Sequence, residues 1–201
     1  MIKTVIFDLS EVCLNGLIGT EKGLEPILNL PADVIYKCLR IDELIDLFEG
    51  RISENHYILE VIKKNNWNIR SEALKNIIRS NFKEIEGVRV IIESLKAKGY
   101  KLGLLSDHSK EWIEYCEKKF EFHKLFDSIL YSFEIHACKP DKKPYQLILQ
   151  ILHAKPDECL FVDDSKKNTE AAEKLGISTI LFKNAEQLKI DLEKFSINIS
   201  S

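Results

Sequence analysis

The chain has 201 residues, 45% of them hydrophobic and 30% charged, with a formal net charge of −3. That length suits one large domain or a core with a small insert, and the composition is that of a globular chain. The slight negative charge excludes an electrostatic case for nucleic acid or an anionic membrane, and no apolar run approaches the ~20 residues of a membrane-spanning helix. Met1–Asp8 turns acidic too soon for a secretory leader, so a cytoplasmic location is expected. The five cysteines, Cys13, Cys38, Cys116, Cys138 and Cys159, are scattered without zinc spacing and read as reduced core thiols.

Thr4-Val5-Ile6-Phe7 reads as a buried strand that ends at Asp8. From Leu17 to Phe82 no strand is evident. Helical patterns run over Ala32–Phe48, Glu54–Asn65 and Ser71–Phe82, with Pro31 suited to a first turn and Ser53 to an N-cap. Gly87–Lys98 is helical, with Gly99 as its terminating glycine. The strand Leu102–Leu105 follows, and then a helix from Ser109 to Phe120. Phe126–Ser132 reads as a strand, Pro144–Leu152 as a helix, and Cys159–Val162 as a strand. A helix ending near Gly176 and the strand Ile177–Phe182 complete the alternation. Strands separated by helices imply a parallel sheet covered on both faces. The expected architecture is α/β: a Rossmann-like core, residues 1–16 and 83–201, with a helical cap, residues 17–82, inserted after the first strand.

Asp8, Ser106 and Asp163-Asp164 each follow an apolar strand, and Lys139 precedes a helix. In a parallel sheet the C-terminal ends of the strands share one edge, so these side chains can converge. Three carboxylates, a lysine and a hydroxyl suit a divalent cation with a phosphate. Carboxylate oxygens hold hard Mg²⁺, and the lysine and hydroxyl grip phosphate oxygens. A carboxylate so placed can attack phosphorus to give an aspartyl phosphate. Taken singly, each residue also reads as a cap or a solvated loop charge. A response-regulator receiver uses similar groups, but its acidic pair lies near the N-terminus and its lysine comes last.

Together the motifs resemble those of the haloacid dehalogenase superfamily, most of whose members are phosphatases. Phe7-Asp8-Leu9-Ser10-Glu11-Val12 is similar to its first motif and Leu105-Ser106-Asp107 to its second. Lys139-Pro140-Asp141 with Tyr145 resembles the third. Val162-Asp163-Asp164-Ser165 followed by Ala171, Ala172 and Gly176 resembles the acidic fourth. The resemblance implies Asp8 as nucleophile, with Ser10, Ser106 and Lys139 as its catalytic companions. It implies substrate binding by Ser106, Asp107 and Lys139, and Mg²⁺ binding by Asp8, Asp163, Asp164 and the backbone carbonyl of Ser10. Phe48-Glu49-Gly50-Arg51-Ile52-Ser53 resembles a turn of the small sugar-phosphate phosphatase branch, which implies a small phosphorylated metabolite as substrate.

The chain departs from the family at Ser10, where most of these phosphatases carry a second aspartate as general acid and base. A serine hydroxyl cannot fill that role near pH 7, and its loss costs on the order of 10²–10⁴ in rate. A slow or leaving-group-selective phosphatase is therefore expected. The alternatives are a binding or regulatory protein with a silent site, and a metal-free 2-haloacid dehalogenase. Glu11 is a weak candidate to supply the proton. Cap residues that could reach substrate are Asn15, Glu21, Lys22, Arg40, Glu49, Arg51 and His56, and His108 lies beside Ser106. Neither Trp67 nor Trp112 is assigned a ligand. The chain is expected to act as a monomer or homodimer, without nucleic-acid or membrane partners.

Overall fold

A computed structural model describes residues 1–199. Its sheet holds five parallel strands: β1 (Thr4–Phe7), β2 (Lys101–Ser106), β3 (Ser128–Tyr131), β4 (Cys159–Asp163) and β5 (Ser178–Leu181), in the order β3-β2-β1-β4-β5. The alternation of side chains along a strand decides which layer each residue joins. Val5, Phe7, Leu102, Leu104, Leu160 and Val162 enter one apolar cluster. Ile6, Leu105, Leu130 and Phe161 enter another, on the opposite face.

Helices cover both faces, as the buried strands require. On the Ile6 face lie α9 (Lys142–Ile151), against β2 and β3, and α10 (Lys166–Glu173), against β4 and β5. Gly103 allows α9 to come close, since a Cβ there would stand 2.8 Å from Leu152 Cδ1. The other face carries α6 (Val88–Ala97), with α11 (Ala185–Lys194) packed on it, and the apolar side of α7 (Lys110–Phe120). Ser109 caps α7 by accepting from Trp112 N, and Gly99 ends α6 at φ 82°.

Between β1 and α6 the chain forms five helices: α1 (Thr20–Leu28), α2 (Ala32–Leu39), α3 (Glu43–Phe48), α4 (Glu54–Lys64) and α5 (Ser71–Asn81). They pack on one another, and their apolar side is continuous with the cluster that holds Val5 and Phe7. Glu54 joins this insert to α7. Its carboxylate accepts from Trp112 Nε1 at 2.8 Å and from Arg79 Nε at 2.9 Å, while Glu111 accepts from its backbone N–H. Ser132 Oγ also donates to the Phe48 carbonyl at the end of α3.

Several boundaries differ from the sequence expectation. The pattern over Ala32–Phe48 is two helices, because Ile35 and Leu39 share a stripe with which Leu44 and Leu47 are out of phase; a break at Arg40 turns both stripes inward. Pro31 is the N-cap of α2 rather than part of its first turn. The strand expected over Phe126–Ser132 shortens to β3, and Ser132 opens the short helix α8 (Ser132–Ile135). Ser106 and Asp163 are the last residues of their strands rather than the first residues beyond them. Helices α1 and α11 lie outside the sequence expectation.

Candidate active site

Strand register places the site. Phe7 pairs with Leu104 on one side and with Val162 on the other, so the next row brings Leu105, Asp8 and Asp163 abreast. Asp8 N donates to the Val162 carbonyl at 2.9 Å, extending the pairing by one residue and aligning the two carboxylates. Lys139 arrives from the loop between α8 and α9. Its backbone N–H donates to both Asp107 oxygens, at 3.1 and 3.0 Å, which fixes the loop against the end of β2.

The Lys139 ammonium is buried. It lies 2.9 Å from Asp8 Oδ1 and 2.8 Å from Asp163 Oδ2, and donates to the Leu105 carbonyl at 3.1 Å. Burial alone would lower its pKa, but Asp163, Asp8 and Asp107 outweigh burial and hold it well above the usual lysine range. Asp8 is held well above the usual carboxylate range, chiefly by burial and despite the opposing charge of Lys139. Asp107 is pushed up to about 6, again by burial.

Asp8, Asp163 and Asp164 each bring one oxygen within 4.8 Å of the others. The two neighbours at the end of β4 differ. Asp163 is fully buried, and besides Lys139 it accepts from Ser165 N at 2.8 Å and from Asn168 Nδ2 at 3.1 Å. Asp164 lines the cleft with part of its surface open to solvent, and its carboxyl pKa is raised by the partial desolvation there and by Asp163. Sequence reasoning missed Asn168. One turn into α10, it orients Asp163, and nothing in its local pattern separates it from a surface polar residue.

Ser106 is fully buried, and its hydroxyl has no partner among the described residues. Buried hydroxyls are nearly always paired, so this orphaned group beside Asp107 stands out, although Ser106 itself does not line the cleft. Ser10 lines the cleft beside Asp8. Glu11, at φ 60°, turns its carboxylate onto the loop, where Oε1 accepts from Gly16 N at 3.0 Å and Ile18 N at 3.1 Å. A Cβ on Gly16 would stand 2.8 Å from that oxygen, so glycine lets the loop close. Cys13 donates to the Asp8 carbonyl, and burial pushes its thiol well up, which makes it a core thiol as expected.

The cleft above these groups measures ≈ 630 Å³ and lies between the sheet edge and the helical insert. Of the seven residues raised from sequence as reaching for substrate, only Arg40 lines it; Asn15, Glu21, Lys22, Glu49, Arg51 and His56 do not. Glu21 caps Gly19 N, and Arg51 pairs with Asp46 and Glu49. His108 is buried at the base of the cleft, with Nδ1 accepting from Ser109 N, and burial lowers its pKa to about 4. Trp112 packs beside it, at a ring separation of 5.6 Å.

Residues 5–182 match the family model described as haloacid dehalogenase-like hydrolase. Flavin mononucleotide hydrolase 1 of Arabidopsis thaliana is 26% identical over 64% of this chain and 52% of its own. A phosphorylated carbohydrates phosphatase of Thermotoga maritima is 33% identical over 54% and 50%. The chain thus spans about half the length of these curated relatives. Among solved structures, a HAD family enzyme of Bacteroides thetaiotaomicron in its magnesium complex gives a TM-score of 0.78 over 95% of this chain and 98% of its own, at 20% identity. The L-2-haloacid dehalogenase of Xanthobacter autotrophicus, with chloropropionic acid covalently bound, gives 0.70 over 98% and 84%, at 16% identity. At such identities the structural likeness carries the fold alone.

Proposed function

The chain belongs to the haloacid dehalogenase-like hydrolases, and from that premise we propose that it is a Mg²⁺-dependent phosphatase of a small phosphorylated metabolite, with Asp8 as nucleophile. The observation that carries this reading is the buried Lys139 ammonium held between Asp8 and Asp163, with Asp164 close by and open to the cleft. The names of the curated relatives, a flavin mononucleotide hydrolase and a phosphorylated carbohydrates phosphatase, support the same reaction class.

The donor set fits a hard divalent cation. Asp8, Asp107, Asp163 and Asp164 bring four carboxyls to one lysine, and crowding with burial pushes the Asp8 and Asp164 carboxyls up. Asp8, Asp164 and the Ser10 carbonyl would hold Mg²⁺, with Asp163 completing the acidic set. The bound ion would neutralise charge on the phosphoryl oxygens and favour ionised Asp8. Lys139 would then hold Asp8 in place and neutralise a phosphate oxygen, and the free Ser106 hydroxyl would donate to another. Asp107 positions Lys139 through its backbone N–H. The insert, residues 17–82, would act as a cap over a core of residues 1–16 and 83–201, screening the site from water. The described cysteines are all free, which suits a reducing compartment such as the cytoplasm.

A metal-free dehalogenase gives no use for an exposed Asp164 beside two other carboxylates. The sugar-phosphate character suggested by residues 48–53 draws support from the Thermotoga maritima relative but little from the walls of the cleft. The test is hydrolysis of aryl and metabolite phosphates with and without Mg²⁺, by wild type and Asp8→Asn. Metal-dependent turnover lost in Asp8→Asn supports the reading. A folded protein inert toward every phosphate favours a silent site, and chloride release from a 2-halo acid without metal favours dehalogenation.

A further inference from the structure

The walls of the cleft and the groups beside Asp8 restrict the leaving group. The insert contributes Leu17, Leu44, Phe48 and Phe82, with Ile18 and Ile45 half exposed at the rim. From the core, Trp112 and His108 join Phe48 and Phe82 in a cluster of rings with centroids 5.5–6.1 Å apart. Only two side chains of the insert that line the cleft carry polar atoms, Tyr36 and Arg40, and they are engaged with each other: Arg40 Nη1 donates to Tyr36 Oη at 3.0 Å, with the guanidinium 5.4 Å from the ring centre. Against the insert wall a polyol would exchange water for few hydroxyl partners beyond Arg40, which is costly, while the polar groups Ser165, Lys167 and Asn168 lie on the core side, next to Asp164 in the chain. A flat apolar group would meet rings and aliphatic carbons.

The second restriction is chemical. Proton donation to a leaving oxygen needs a group that holds a labile proton near neutral pH. Ser10 has only a hydroxyl, the Glu11 carboxylate is bound by two backbone N–H groups, and both Asp107 oxygens are taken by the Lys139 backbone N–H. His108 is buried, with Nδ1 committed to Ser109 N, so it is a neutral wall rather than an acid. The site is therefore poor at expelling an alkoxide and suited to an oxygen that leaves as a stable anion.

We propose that the substrate class of this site is a phosphate monoester of an acidic hydroxyl on a flat, apolar group, an aryl phosphate rather than a sugar or other polyol phosphate. The proposal rests on the phosphatase reading above. In the first step the Asp8 carboxylate forms a bond to phosphorus as the P–O bond to the aryl group breaks, and the aryloxide leaves with the electron pair. In the second, water attacks phosphorus and the Asp8–phosphorus bond breaks, restoring the carboxylate. The hydroxide portion of water stays with phosphate and its other proton goes to the aryloxide, so ester and water give phenol and hydrogen phosphate.

The test has two arms, both with Mg²⁺ present. In the first, kcat/KM is measured for substituted phenyl phosphates of graded leaving-group acidity and for glucose 6-phosphate and glycerol phosphate. The expected result is a steep rise with leaving-group acidity, and a gap of ~10² or more between aryl and polyol esters. In Ser10→Asp that gap narrows. Polyol esters hydrolysed as fast as aryl esters overturn the proposal while leaving the phosphatase reading intact. In the second arm, calorimetry compares benzylphosphonate with a hydroxylated alkyl phosphonate of similar size, which needs no turnover. Binding of the aryl ligand at least ~10-fold tighter, reduced in Phe48→Ser, supports the proposal. Equal binding, or a preference for the hydroxylated ligand, overturns it. Absence of turnover on every ester would count against the phosphatase reading instead, and the binding arm would still decide the preference of the wall.

Discussion

Lys139 Nζ stands 2.9 Å from Asp8 Oδ1, although their residues lie on segments more than a hundred positions apart in the chain. Both groups are buried, and the same ammonium serves Asp163. Removing one partner of such a cluster leaves uncompensated charge in a low-dielectric site, at a typical cost of ~3–5 kcal/mol. Lys139→Met is therefore expected to lower metal-free stability by roughly 3 kcal/mol at pH 7. Without the lysine, the raised carboxyl pKa of Asp8 is a penalty that grows as pH rises and is relieved as the acid takes up a proton. Urea unfolding at pH 5 and pH 7 should show the smaller loss at pH 5. An equal loss at both would mean that packing, not charge, is the issue.

Asp164 faces the cleft while Asp163 is spent on Lys139, Ser165 and Asn168. Mg²⁺ should therefore raise the thermal midpoint of the wild type, by about 2.7 kcal/mol of stability at a concentration 100 times Kd. In Asp164→Asn that gain should shrink, with Mg²⁺ affinity down by about 10-fold or more. Calorimetric titration with Mg²⁺ alone checks it, and unchanged affinity in Asp164→Asn would remove this residue from the metal set.

His108 gives a second pH dependence. Burial lowers its pKa to about 4 from the ordinary 6.5, so the unfolded chain binds more protons between those values. Its contribution is fully present above pH 6.5 and is lost as pH falls toward 4, up to roughly 3 kcal/mol. The difference in unfolding free energy between wild type and His108→Gln should narrow or reverse over that window. A constant difference would mean that His108 is not held neutral by burial.

Glu54 ties α4 to Arg79 on α5 and to Trp112 on α7. Glu54→Ala should cost about 3 kcal/mol by leaving Arg79 and the indole N–H without their acceptor. It should also change Trp112 fluorescence, since the indole N–H loses its acceptor. Urea unfolding followed by fluorescence reads both.

The residues that carry the proposed chemistry were legible in the sequence because they sit at strand ends. Asp8, Ser106 and Asp163-Asp164 are marked by the apolar runs before them, and a parallel sheet gathers such ends on one edge. Helix α1 was hidden because it starts after Gly19 rather than a side-chain cap and holds Gly23 and Pro26, all of which read as breakers. Helix α11 did have a signal: Asn184 precedes Gln187 by three, and its side chain accepts from Gln187 N. Which insert charge reaches the cleft could not be read, because it depends on the break at Arg40 between α2 and α3. Asn168 and the aromatic wall were invisible for the same reason: their roles arise from tertiary packing and leave no local pattern.

In the proposed reaction Asp8 forms a covalent bond to phosphorus. The direct measurement is an acid quench during turnover of a radiolabelled aryl phosphate with Mg²⁺, followed by peptide mapping. A hydroxylamine-labile label on the peptide containing Asp8, absent from Asp8→Asn, is the expected result. Continued turnover by Asp8→Asn, or a label on another residue, would contradict it.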